Sequence, residues 1–207
     1  MRVAEWKRTV RPLLPDANWE FRGSLCYRLP VHRVLIGVLG EGSGFDTGVY
    51  IWRVVMPLFV PGKHVTLSWS NRIGGGASKY RREEQDAQAA AIRLALSKLG
   101  TEEAALREIL ASPVATIPSR RILEVVAYTQ LLLGDFSTAR STLTEAASGG
   151  ASKVAEQKIV ERMQLIGRLL DQAGPDGAVS QLDQWCDRTA GALGLRRSRP
   201  EGADLPR

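Results

Sequence analysis

The spacing of apolar residues changes period part-way along the chain. In residues 2–14, Val3, Trp6, Val10, Leu13 and Leu14 recur at helical intervals, with Lys7, Arg8 and Arg11 between them. This predicts an amphipathic helix that stops near Pro15. The period then shortens to two. Trp19–Arg22 and Leu25–Leu29 flank Gly23-Ser24 and predict a hairpin. Val31–Leu39 predicts a third strand, ending at the loop Gly40-Glu41-Gly42-Ser43-Gly44. Val49–Val60 is the longest β-like run, and Pro57 within it implies a bulge or an edge position. After Pro61-Gly62, His64–Ser70 alternates Val65, Leu67 and Trp69 with Thr66, Ser68 and Ser70, which predicts a further strand. Gly74-Gly75-Gly76 then reads as the loop that closes this part. From Glu83 onward strand signals vanish. Helices are predicted at about 80–99, 102–112, 119–133, 136–148, 152–173 and 177–194, separated by Gly100, Pro113, Gly134, Gly149-Gly150 and Gly174-Pro175. The fold class expected is α+β: an N-terminal helix on an antiparallel sheet, followed by an all-α, repeat-like region.

Charge follows the same division. Residues 1–82 hold 13 Lys/Arg against 5 Asp/Glu, and residues 83–195 hold 11 against 15. The expected organisation is a basic α+β module over 1–78, an acidic helical region over 79–195, and a disordered basic tail over 196–207. The N-terminus lacks the apolar core of a signal peptide. The most apolar run, Val54–Val60, is far shorter than the roughly 20 residues that span a bilayer. Two cysteines, Cys26 and Cys186, do not make a disulfide framework, so a cytoplasmic protein with no membrane partner is expected.

Residues 123–146 resemble a tetratricopeptide repeat. Leu123, Val126 and Ala127 stand where the first helix of that family packs. Gly134-Asp135-Phe136 resembles its turn, and Ala139, Leu143 and Ala146 match its second-helix contacts. Gln130, at a usually aromatic position, and Ala151, where proline is usual, depart from the pattern. A second unit, one residue short, is traced through Gly174, Ala178, Leu182 and Trp185. The resemblance implies a helix hairpin packed through Ala127, Gly134, Ala139, Leu143 and Ala146, and a protein partner. In the N-terminal half, the first helix, Phe21–Leu29 and Val49–Val60 resemble an uncharacterised bacterial family of small α+β domains, some of them encoded near toxin-immunity genes.

Chemistry is sparse. HExxH, CxxC, GxSxG, Walker and strand-linked GxGxxG motifs are missing, so no catalytic, metal or cofactor residue is assigned and no cofactor is expected. His64 and Cys26 could form an activated thiolate pair, but a surface histidine and a core cysteine account for them more simply. Lys79, Arg81 and Arg82 follow the glycine run at a predicted helix start, where backbone N–H groups attract anions. They are the candidate anion site, weighed against a hinge with a solvated charged turn. Arg120-Arg121, after Pro118-Ser119, repeat that arrangement. The expected function is a non-catalytic protein–protein interaction module of adaptor or immunity-like type, acting through the helical half. The alternative gives the basic half a nucleic acid or another polyanion.

Overall fold

The structure is a computed structural model that describes residues 2–42, 48–78, 82–148 and 153–198. It confirms the α+β class. Five strands, β1 (Trp19–Arg22), β2 (Leu25–Arg28), β3 (Val34–Gly42), β4 (Gly48–Pro57) and β5 (Asn71–Ser78), form a sheet in the order β1-β2-β3-β4-β5. Seven α-helices are described: α1 (Val3–Val10), α2 (Arg82–Ser97), α3 (Glu102–Ala111), α4 (Arg120–Leu132), α5 (Phe136–Ala147), α6 (Val154–Gln172) and α7 (Gly174–Ala192). The chain forms two compact units. The first comprises residues 1–56, 64–100 and 193–207, and the second residues 57–63 and 101–192.

In the first unit α1 buries Trp6 and Val10 and ends early, because Pro12 has no N–H to continue the ladder. Residues 11–13 make a 3₁₀ turn instead. Trp6 and Val10 pack with Cys26, Val38, Val49, Ile51, and Ile92 and Ala95 of α2. The alternation of the strands supplies one face of this core and the two helices cover it. Close approach needs missing side chains at two places. A Cβ on Gly40 would lie 2.6 Å from the Trp6 ring, and one on Gly74 would lie 2.9 Å from the Ala91 methyl.

Three expectations are corrected here. His64–Ser70 is not a strand; the last strand begins at Asn71, paired with Arg53. The Ser70 hydroxyl accepts from the Val55 N–H at 3.2 Å and donates to its carbonyl at 3.4 Å, so a side chain occupies the place of a ladder bond. The glycine run thus lies within β5 and is not a closing loop. Pro57 ends β4, while the irregular pairing lies between Val49 and Trp52.

The division also falls elsewhere than at residue 78. Helix α2 belongs to the first unit because Ile92 and Ala95 complete its core. Its C-terminal end is held by cations from the strands. Arg53 Nε donates to the Lys98 carbonyl at 3.0 Å, and Arg28 Nη2 donates to the Gly100 carbonyl at 2.6 Å. These satisfy groups that no residue in the last turn of α2 reaches with a positive charge. Part of the expected disordered tail is ordered as well. Arg196 N–H donates to the Tyr27 hydroxyl at 2.9 Å, and Val31 N–H donates to the Arg197 carbonyl at 2.8 Å. The Arg197 guanidinium returns hydrogen bonds to the carbonyls of Val31 and His32. Residues 199–207 lie outside the described residues.

In the second unit α4 is the central element, packed on α3, α5, α6 and α7. Its buried residues run almost without a break from Glu124 to Thr129, as expected of a helix surrounded on most sides. The segment 57–63 adds Leu58 and Phe59, both wholly buried. The Phe59 ring stands edge-on to Tyr128 at 6.4 Å, and Tyr128 lies 5.7 Å from Trp185. Gly134 turns the chain from α4 to α5 at φ +85, a left-handed conformation that favours glycine. Asp135 then caps α5 by accepting from the Thr138 N–H at 3.2 Å. Ala127, Ala139, Leu143 and Ala146 are all buried where these two helices pack, whereas Leu123 is half-buried.

Candidate functional site

The anion candidates picked from the sequence cannot be placed. Lys79 and Arg81 lie outside the described residues, and Arg82 opens α2 with its side chain undescribed. The Cys26 thiol is wholly buried. Burial, and secondarily the charge of Glu20, pushes it up to about 12, so it stays a protonated core group. Cys186 is buried too. Both thiols are expected to resist a thiol-specific reagent in the folded protein and to react fully in denaturant. Stoichiometric labelling of either one under native conditions would show that the core is open there. Among the described residues no cluster of His, Cys, Asp or Glu could hold a metal ion.

The site with built walls lies at the start of α4. Ser119 is extended and its carbonyl accepts from the N–H groups of Ile122 and Leu123, but its side chain makes no capping hydrogen bond. The first turn has no acidic residue and carries Arg120 and Arg121 instead. That inverts the usual charge preference at a helix N-terminus. Pro118, Ser119, Arg120 and Arg121 face Glu156 and Ile159 of α6 across an open cavity of about 530 Å³. Arg120 Nη1 lies 3.4 Å from Glu156 Oε2, while Arg121 is exposed. Ile117, one residue before the cavity, is 48% exposed.

The two helices are also pinned by an ion pair between a buried carboxylate and a partly exposed guanidinium. Glu124 is wholly buried, and Arg162 grips it with both prongs, Nε to Oε1 at 2.6 Å and Nη2 to Oε2 at 2.8 Å. The Tyr128 hydroxyl donates to Oε1 at 3.3 Å. Burial pushes the Glu124 carboxyl up, and the hydrogen bonds and charge of Arg162 pull against that shift. Burial and the Glu124 charge also push the Tyr128 hydroxyl up, which keeps it a donor. Glu156 and Ile159 lie on α6 within two turns of Arg162. The pair therefore sets where the far wall of the cavity stands relative to Arg120 and Arg121.

Sequence reasoning singled out Arg120-Arg121 but missed the ion pair of Glu124 with Arg162, whose members are 38 residues apart. The chain matches no family model, no curated protein and no solved structure. Among the described residues no helix is long and apolar enough to cross a membrane.

Proposed function

We propose that this chain is a non-catalytic protein–protein interaction module of adaptor or immunity-like type, which receives its partner at the cavity before α4. The observation that carries this reading is the cavity's composition. It joins an exposed arginine, an ion-paired arginine and the half-buried Ile159, with the exposed Ile117 one residue away, on walls held by the Glu124–Arg162 ion pair. Arginine beside apolar surface, on a rigid support, is the chemistry of energetic centres in protein interfaces. The resemblance of residues 123–146 to a tetratricopeptide repeat supports the same reading, since the residues behind it are buried between α4 and α5. The two buried thiols, neither of them in a disulfide, fit a reducing, cytoplasmic setting.

Photo-crosslinking tests the proposal. A crosslinking residue placed at Ile117 or Arg121 is expected to capture one discrete partner protein in the native host, and one placed at the exposed Arg8 is not. The pair of changes Ile117→Asp and Arg121→Glu should abolish the capture and leave the melting temperature within about 2 °C, as surface changes usually do. Capture that is absent, or that survives both changes, would sink the assignment.

A further inference from the structure

We propose that the exposed face of α1, in the first unit, binds the phosphate backbone of a nucleic acid. This goes beyond the protein-binding role assigned above and uses other residues. The residues of the first unit include 18 Lys/Arg against 10 Asp/Glu, whereas those of the second include 10 against 12. Three of these cations stand on α1 and the 3₁₀ turn that follows it. At 3.6 residues per turn, Lys7, Arg8 and Arg11 fall within about 100° of arc, with Arg8 and Arg11 exposed and Lys7 half-buried beside Val10.

Two of these cations share one ring. Lys7 Nζ lies 5.7 Å and Arg11 Cζ 5.8 Å from the centroid of Phe21 on β1. The ring quadrupole holds each of them, but it does not neutralise two like charges brought to one place. Neither these two nor Arg8 forms a salt bridge among the described residues. The neighbouring carboxylates are engaged elsewhere. Glu5 accepts from the Arg2 N–H at 3.4 Å, Asp16 accepts from the Asn18 N–H at 2.7 Å, and Glu20 pairs with Arg196 at 3.2 Å. A phosphate seated between Lys7 and Arg11 supplies the missing counter-charge, and the guanidinium fork suits its oxygens.

The occupant follows from what the face lacks. A helix that enters a lipid surface needs a free apolar side, and that of α1 is spent in the core through Trp6 and Val10. A protein partner needs an apolar anchor, and α1 exposes a single large one, Val3 at its far end. What remains is charge held on a fixed frame, which fits a chain of phosphates.

The test measures the affinity of the full chain for a labelled mixed-sequence single-stranded RNA from about 50 to 200 mM salt. Each phosphate contact contributes about 0.7 to the slope of log affinity against log salt for a single strand. Replacing Lys7, Arg8 and Arg11 together by Ala should make the slope shallower by about two and lower the affinity at least tenfold at the low-salt end. A control removes the same charge elsewhere on the unit, through Arg22→Ala, Arg72→Ala and Arg93→Ala, and should change the slope by much less. Equal melting temperatures show that both variants are folded. Failure of the unaltered chain to bind the RNA at low salt, or equal effects of the two triple changes, would overturn the proposal. So would binding to phosphatidylserine vesicles, lost on removing the α1 cations, without binding to RNA. None of these results depends on Ile117 or Arg121, so the protein-binding proposal stands or falls separately.

Discussion

Arg162→Met is expected to destabilise the helical unit by about 3–5 kcal/mol, the cost of leaving a buried charge without its partner. Glu124 is wholly buried, and its two oxygens receive both Arg162 hydrogen bonds together with that of Tyr128. In a protein of this size the loss corresponds to a fall of roughly 6–20 °C in melting temperature. The double change Glu124→Leu with Arg162→Met should recover most of it, because apolar residues in place of a buried pair are often neutral or stabilising. The pH dependence has a definite sign. Without Arg162, burial leaves the folded-state carboxyl well above its unfolded value, so the folded form binds the proton more tightly. The deficit of the single variant should therefore shrink as pH falls and grow as pH rises through the carboxylate range. Thermal and urea unfolding of the three proteins at two pH values checks this. A cost below about 1 kcal/mol for Arg162→Met would mean that water reaches the pair.

Ala139→Glu should cost about 3 kcal/mol or more. Ala139 is wholly buried on α5 where that helix packs on α4, and a glutamate there brings both bulk and an unpaired charge. The adjacent Arg140 is exposed and pairs with Asp171, itself exposed. Arg140→Ala should then cost no more than about 1 kcal/mol. Circular dichroism during urea titration distinguishes the two. Equal midpoints would show that α4 and α5 do not meet through their small residues.

The helices were the most legible part of the sequence, because they are long and their ends are marked by residues with a specific backbone role. Gly134 in the left-handed region and Asp135 as a cap stand where the chain turns between α4 and α5. The β1–β2 hairpin was legible for the same reason, with Gly23 at φ +58 between paired Arg22 and Leu25. The last strand was not. Its glycines serve the packing of α2 and of the Tyr50 side chain, which are long-range facts, and the same residues read locally as a linker. The alternation of 64–70 was equally local, and Ser70 overrides it by bonding to the β4 backbone. The Glu124–Arg162 pair was half visible. A glutamate followed by Val125, Val126, Ala127 and Tyr128 has little solvent-facing helix around it, which signals a buried charge in need of a partner. Nothing in that local pattern says which of several arginines on later helices supplies it.

Because residues 57–63 belong with 101–192, and residues 193–198 return to the first unit, the chain passes between the two units four times. During synthesis this imposes an order. The sheet and its two helices emerge first, yet Tyr27, Val31 and His32 wait for Arg196 and Arg197 until the intervening helices have been made. At ordinary translation rates that delay is roughly 5–20 s. A ribosome stalled within α7 would hold a first unit lacking its final clasp, and the earliest-made half of this protein would be among the last to be completed.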